Sequence, residues 1–211
     1  MSSKPALITY DELVEIVDVA ATGAGLTMIG LVGPPGAGKS TIAERLAHEL
    51  GSRAVVVGMD GFHLSSEILD ELELAQVKGA PETFDADGFV DLLERIRRRP
   101  PRVTIHAPTF DRDREEPIEA GSAVTPDHEI VVVEGNYLLL DGPWERIRDL
   151  LDLVAYVDLD PSVRRARLVA RHMSHGRTAQ QARAWVDRSD EANAALIEAT
   201  RHRAGLCVSG P

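Results

Sequence analysis

Residues 33 to 41 read Gly-Pro-Pro-Gly-Ala-Gly-Lys-Ser-Thr, which fits the spacing G-x-x-x-x-G-K-[ST]. Such a loop lays backbone N–H groups against phosphate oxygens, so bulk at Gly36 or Gly38 would obstruct the approach. The spacing therefore reads as a nucleotide-binding loop made of Gly33, Pro34, Pro35, Gly36, Ala37, Gly38, Lys39, Ser40 and Thr41. A helix opening directly after it would add positive potential. Lys39 is expected to reach the β and γ phosphates and to serve catalysis as a fixed cation, and the Ser40 hydroxyl is expected to ligand Mg²⁺.

A phosphate loop alone leaves hydrolysis and phosphoryl transfer both open, and the acidic groups at other strand ends decide between them. Asp60 follows the apolar run Ala54 to Val57, and Glu134 ends the apolar run Ile130 to Val133. In open α/β sheets ligands bind beyond the carboxyl ends of the strands, so both carboxylates are expected to face the γ-phosphate. Asp60 is then the catalytic base toward an attacking hydroxyl, and Glu134 holds Mg²⁺ or its water shell. The competing reading of each is a capping or turn carboxylate.

Further candidates surround an acceptor. His63, three residues after Asp60, touches it or is satisfied within a turn, and Lys78 binds it or braces its loop. Asp111 and Arg112 form a pair able to read hydroxyls or an anionic substituent. Tyr137 joins the acceptor set or, like Trp185, fills packing. The spacing of His106, His172 and His175 is not that of a metal site.

The elements that must position these groups are legible from periodicity. Thr9 and Glu12 have capping-box spacing ahead of the stripe Leu13, Val14, Ile16, Val17 and Ala20, which predicts a helix within residues 1–24. Leu26 to Val32 reads as a strand, Thr41 to Leu50 as a helix closed by Gly51, and Ala54 to Val57 as a second strand. A helical stretch follows with Ile68, Leu69, Leu72 and Leu74 as its apolar positions. Asp85 or Asp87 then caps a helix burying Phe89, Leu92, Leu93 and Ile96. Arg97, Arg98 and Arg99 read as solvated cations at its negative end. A short strand around Val103 to His106 precedes a polar stretch to Pro126, and Ile130 to Val133 predicts a strand buried on both faces. A helix from about Pro143 to Leu151, a strand from Val154 to Val157, a basic helical region from about Pro161 to His202 and a strand at Leu206 to Val208 complete the chain. This alternation predicts an α/β fold with a doubly wound, mostly parallel sheet.

The bulk properties narrow the partners. The chain has 211 residues, 44% hydrophobic and 27% charged, with a formal net charge of −11, which predicts one domain across residues 1–211 and small-molecule partners. Nucleic acid and anionic membrane are disfavoured as partners by that charge. The apolar runs are too short to span a bilayer and the N-terminal residues lack a secretory pattern, so cytoplasmic residence is expected. Cys207, the one cysteine, is assigned a buried strand position and no chemistry.

Together with the phosphate loop, four segments carry a resemblance: MDGFHL at 59–64, KGAPETFD at 78–85, PTFDRDREEP at 108–117 and VVVEGNYLLL at 131–140. In this order they resemble the P-loop kinase family that contains uridine kinase, phosphoribulokinase and bacterial type I pantothenate kinase, from about Leu26 onward. The resemblance implies a P-loop NTPase fold with a helical lid, ATP and Mg²⁺ as cofactors, and transfer of the γ-phosphoryl group to a hydroxyl. It implies Asp60 as base, Glu134 for the metal, and an arginine-bearing lid at about 161–180. Arg167, Arg171 and Arg177 are the matching lid arginines, with Arg171 as the catalytic one; the competing reading is the solvated face of a basic helix. A homodimer is compatible with this picture. The histidine-threonine-arginine signature of uridine kinases is missing after FDR, and the additional N-terminal region of the longer pantothenate kinases is missing too. The chain thus looks more like short bacterial nucleoside kinase-like or fructose-transport-associated sugar kinases, with a sugar or polyol expected as acceptor. A nucleoside or pantothenate is the alternative acceptor. A nucleotide-binding regulator or NTPase is the alternative of another class.

Overall fold

Residues alternate between two cores in the central strands, and this organises the molecule. The computed structural model describes residues 4–23, 25–111 and 116–211, and only the backbone of Glu116 and Pro117. In chain order β1 (Ala6–Ile8), α1 (Tyr10–Ala20), β2 (Thr27–Val32), α2 (Lys39–Leu50) and β3 (Ala54–Gly58) come first. They are followed by α3 (Ser66–Glu71), α4 (Ala86–Arg98), β4 (Ile105–Asp111), β5 (Glu116–Val124) and β6 (Ile130–Gly135). The remainder is α5 (Ile147–Leu150), β7 (Leu153–Asp158), α6 (Pro161–Ser174), α7 (Ala179–Trp185), α8 (Glu191–Thr200) and β8 (Leu206–Ser209). Six strands form one parallel sheet in the order β1-β8-β7-β2-β6-β3.

Every residue of β2 and of β6 is buried. Met28, Val32, Val131 and Val133 point into a core shared with α4, Trp144 and Ile197. Ile29, Leu31, Ile130 and Val132 point to the other face, against Leu13 and Val17 of α1 and Ile42 and Leu46 of α2. Helices on both faces explain the unbroken apolar runs, because a strand covered twice has no solvent side on which to alternate. The expected parallel, doubly wound sheet is thus present.

Several expected elements differ. The capping box at Thr9 and Glu12 is made, but a short strand, β1, precedes the helix and pairs with β8. The helix expected around Ile68 is only α3, in which Leu69 is 1% exposed while Ile68 and Leu72 are 42% and 54% exposed. The segment expected as polar connection to Pro126 is an antiparallel hairpin of β4 and β5, with a register shift between Ala107 and Thr109. Pro108, which cannot donate to a ladder, marks that shift and hides the strand from a period-two reading. The hairpin lies beside β3, where the Ser122 hydroxyl donates to the Val56 carbonyl at 3.1 Å. The helix expected from Pro143 reduces to a 3₁₀ turn, Gly142–Trp144, and the short α5. The basic region divides into α6, α7, a π-helical turn over Val186–Asp190, and α8.

Of the arginines at the end of α4, Arg98 is exposed as expected, with a surface pair to Glu94, whereas Arg97 and Arg99 are not simply solvated. Arg97 donates to the carbonyls of Leu26 at 2.8 Å and Leu150 at 2.5 Å and to the Asp152 carboxylate at 2.8 Å. Asp152 accepts in turn from the Met28 amide at 2.7 Å. Arg99, at φ 46°, ends the helix and donates to the carbonyls of Pro126 and His128. Charge here satisfies loop carbonyls at the end of the sheet where β2 begins. We predict that Arg97→Ala lowers the unfolding free energy by about 2 kcal/mol, the scale of several hydrogen bonds from a charged donor. Urea unfolding measures this, and a loss below about 0.5 kcal/mol would return Arg97 to the solvated role.

Candidate active site

The glycine-rich loop leaves the middle of the sheet between β2 and α2. Gly36 and Gly38 have φ of 79° and 96°, a region open to glycine and strained for other residues. Space points the same way, since a Cβ on Gly36 would lie 2.9 Å from Leu168 Cγ and 3.1 Å from the Arg164 carbonyl oxygen. The loop is thus pressed against α6 and leads into α2, where Gly38 provides no side-chain cap. Uncapped amides at a helix start suit an anion. Lys39 is 8% exposed and its Nζ donates to the Pro34 carbonyl at 3.3 Å, so the ammonium is held over the loop.

Register brings the acidic groups to this loop. Glu134 pairs with Leu31 of β2 on one side and Gly58 of β3 on the other. Its carboxylate is buried at the strand end and accepts from the Ser40 hydroxyl at 3.4 Å. Asp60 lies two residues beyond β3 in the 3₁₀ turn Met59–Phe62. Gly61 lets this turn touch the hairpin, since a Cβ there would be 2.3 Å from the Pro108 carbonyl oxygen.

One cavity of about 840 Å³ joins these groups. On its nucleotide side are Pro35, Gly36, Gly38, Lys39, Ser40 and Thr41, with Glu134 and Asp60 beside them; Gly33, Pro34 and Ala37 form the loop's path without lining it. On the other side are His63 and Lys78. The His63 ring stacks on Phe84 with centroids 3.9 Å apart and is tilted against Phe110 at 5.0 Å. Lys78 Nζ lies 5.8 Å from the Phe110 ring centre. Arg167, Arg171 and Arg177 face the same cavity from α6 and the turn after it.

The basic helix sorts into distinct roles. Arg164, 4% exposed, donates to the Pro35 carbonyl at 3.3 Å and pairs with Glu191 at 2.5 Å. Arg165 pairs with Asp187, and Arg167 donates to the Pro211 carbonyl. Arg171 is exposed on the cavity wall, and the Arg177 guanidinium lies 3.9 Å above the Trp185 ring.

Two expected acceptor residues are not on this wall. Asp111 ends β4 opposite Glu116, next to Phe110, which does line the cavity. Tyr137 is fully buried among Phe84 and Trp144, and its hydroxyl donates to the Gly79 carbonyl at 2.5 Å. It therefore cannot touch an acceptor directly. Arg112 lies outside the described residues. Conversely, Asn136, Asp190 and Asn193 line the cavity without having been expected there. Asn136 was within reach of sequence reasoning, two positions after Glu134; Asp190 and Asn193 lie in a helical stretch where only the fold reveals which face is inward.

Among the described residues no group of three or more His, Cys, Asp or Glu side chains is arranged to hold a metal ion. Mg²⁺ normally takes one or two protein oxygens and completes its shell with phosphate and water, and Ser40 with Glu134 fit that pattern. The glycine path and the uncapped helix start fit a nucleotide's phosphates in the same way.

The comparisons agree with this geometry. Residues 28–210 match the model of the Phosphoribulokinase / Uridine kinase family. A provisionally named uridine kinase from Schizosaccharomyces pombe is 36% identical over 206 residues, covering 92% of this chain and 87% of that protein. A uridine kinase from Clostridium perfringens is 34% identical over 153 residues, covering 71% and 70%. The crystal structure of a provisionally named fructose transport system kinase from a Silicibacter species superposes with a TM-score of 0.84 at 34% identity, covering 97% of this chain and all of that one. The chain belongs to the phosphoribulokinase/uridine kinase family and is a P-loop kinase, a phosphotransferase with a hydroxyl acceptor.

Proposed function

We propose that this kinase transfers the γ-phosphoryl group of ATP to a hydroxyl of a sugar or similar polyol, with residues 1–211 working as one cytoplasmic domain on soluble substrates. The observation that carries the reading is the meeting, in one cavity, of the Lys39 loop, the Ser40–Glu134 pair and the Asp60 carboxylate. Lys39 and the loop amides hold the β and γ phosphates. Ser40 and Glu134 hold Mg²⁺, which supplies charge neutralisation on the phosphates when bound. Asp60 accepts the proton of the attacking hydroxyl, aligning it for in-line attack. Residues 161–180 act as a lid, from which Arg171 stabilises the transferred group and Arg167 and Arg177 bind nucleotide phosphate.

The acceptor side supports a polyhydroxylated molecule. Asp60, Lys78, Gln76 and Asn136 supply donors and acceptors around it, while Phe84 already covers one face of His63. Such a wall discriminates against acceptors that leave its polar groups unpaired. The name of the Silicibacter relative points in the same direction. A nucleoside is the second reading, favoured by relatives named as uridine kinases and by the half-buried Phe110 ring on the cavity wall.

Three outcomes are expected. Lys39→Ala stays folded by circular dichroism and loses most turnover; near-normal turnover would remove the phosphate role of the loop. Asp60→Asn keeps ATP affinity and loses about 10² to 10⁴ in kcat, whereas parallel losses of ATP affinity and thermal stability would make Asp60 a structural cap. In ADP release coupled to mass detection across monosaccharides, glycerate, pantothenate and nucleosides, a sugar or polyol gives the highest kcat/KM. A nucleoside optimum overturns the sugar assignment, and ADP release that no alcohol stimulates favours an NTPase.

A further inference from the structure

The Lys78–Gly79 segment carries a cavity-lining lysine on a loop without regular structure, and a loop lysine is useful only if its backbone is fixed. The fixing is unusually complete. The Gly79 amide donates to the Thr83 hydroxyl at 3.0 Å, and that buried hydroxyl donates to the Ala80 carbonyl at 2.7 Å. The Leu64 amide donates to the Thr83 carbonyl at 3.0 Å, joining the loop to the segment that carries Asp60 and His63.

The Gly79 carbonyl itself takes two donors from distant parts of the chain. One is the Tyr137 hydroxyl at 2.5 Å, the other the Asn193 side-chain amide at 3.1 Å. Both donors are buried. Tyr137 is enclosed in the core beyond β6, and burial, with Glu82, Asp60 and Asp190 nearby, pushes its phenol far above the ordinary range, so it stays a donor. Asn193 is 5% exposed on α8, just after the π-helical turn, an element frequent at functional sites. Asp190 in that turn is paired with His172 of α6 at 2.8 Å.

We propose that Tyr137 and Asn193 are positioning residues that fix the Gly79 carbonyl, and through it aim Lys78 at the acceptor. This rests on the reading that the cavity takes a hydroxyl acceptor. Tyr137 contributes without touching the cavity, and Asn193 contributes from the helix that follows the lid.

The test uses the full chain with Tyr137→Phe, which removes one oxygen from an otherwise unchanged core ring, and Asn193→Ala. Hydrogen exchange of residues 79–83 is expected to accelerate about tenfold in each variant, with α4 unchanged. With D-fructose, D-glycerate and uridine as acceptor probes, the KM of whichever is turned over is expected to rise about five- to tenfold in both variants, the range lost with one buried hydrogen bond. The KM for ATP should stay within about twofold. Unchanged exchange in both variants overturns the proposal. So does faster exchange without a change in acceptor KM, or a KM change in Asn193→Ala alone, which would make Asn193 a direct acceptor contact. If wild-type ADP release responds to none of the probes, the acceptor reading fails separately, and the exchange comparison still decides whether the two donors hold the loop.

Discussion

Burial of the central strands on both faces is the constraint from which the site follows. A strand with helices above and below cannot carry an unpaired polar side chain along its length, because desolvation would cost more than packing returns. Polar chemistry is thus driven to the strand ends. In β2 the change comes at Gly33, where the phosphate loop begins; in β6 it comes at Glu134; in β3 it comes just past Gly58, at Asp60. Parallel pairing of β3 and β2 with β6 then aligns the three ends, so that Leu31, Gly58 and Glu134 share one register level. Sheet register, not sequence proximity, brings the carboxylates to the loop that carries Lys39 and Ser40.

A second layer holds the loop from above. Arg164 shows why a run of arginines cannot be read as one functional class: its guanidinium is consumed by the Pro35 carbonyl and Glu191, whereas Arg171, seven residues on, faces the cavity. Helical geometry separates the two, since seven residues is close to two turns and brings both onto one side of α6 at different heights. The lower position meets the phosphate loop and the upper one lies on the cavity wall.

Legibility in the sequence tracked how local the determining physics was. The phosphate loop, the Thr9 cap and the doubly buried strand Ile130 to Val133 depend on neighbouring residues and are readable, whereas the sequence leaves Asp85 and Asp87 both open as the α4 cap. The β4–β5 hairpin was not, because Pro108 breaks its alternation and its stability comes from contact with β3 and the Asp60 turn. Tyr137 illustrates the same limit at one residue. The sequence leaves it between acceptor contact and packing, and only the Phe84 and Trp144 rings around it show that the hydroxyl addresses Gly79 instead of the cavity. Asp190 and Asn193 gave no signal, since the π-helical turn that sets their direction has no sequence signature.

The hairpin also settles a matter unrelated to catalysis. β3 is the last strand of the sheet, and an edge strand offers unpaired backbone groups to any other chain. The hairpin and the Ser122 bond to Val56 occupy that flank, while the opposite edge, β1, is only three residues long. The element that brings Phe110 to the cavity therefore doubles as a guard against intermolecular β-pairing. Shortening it would leave the backbone groups of β3 open to pairing with another chain.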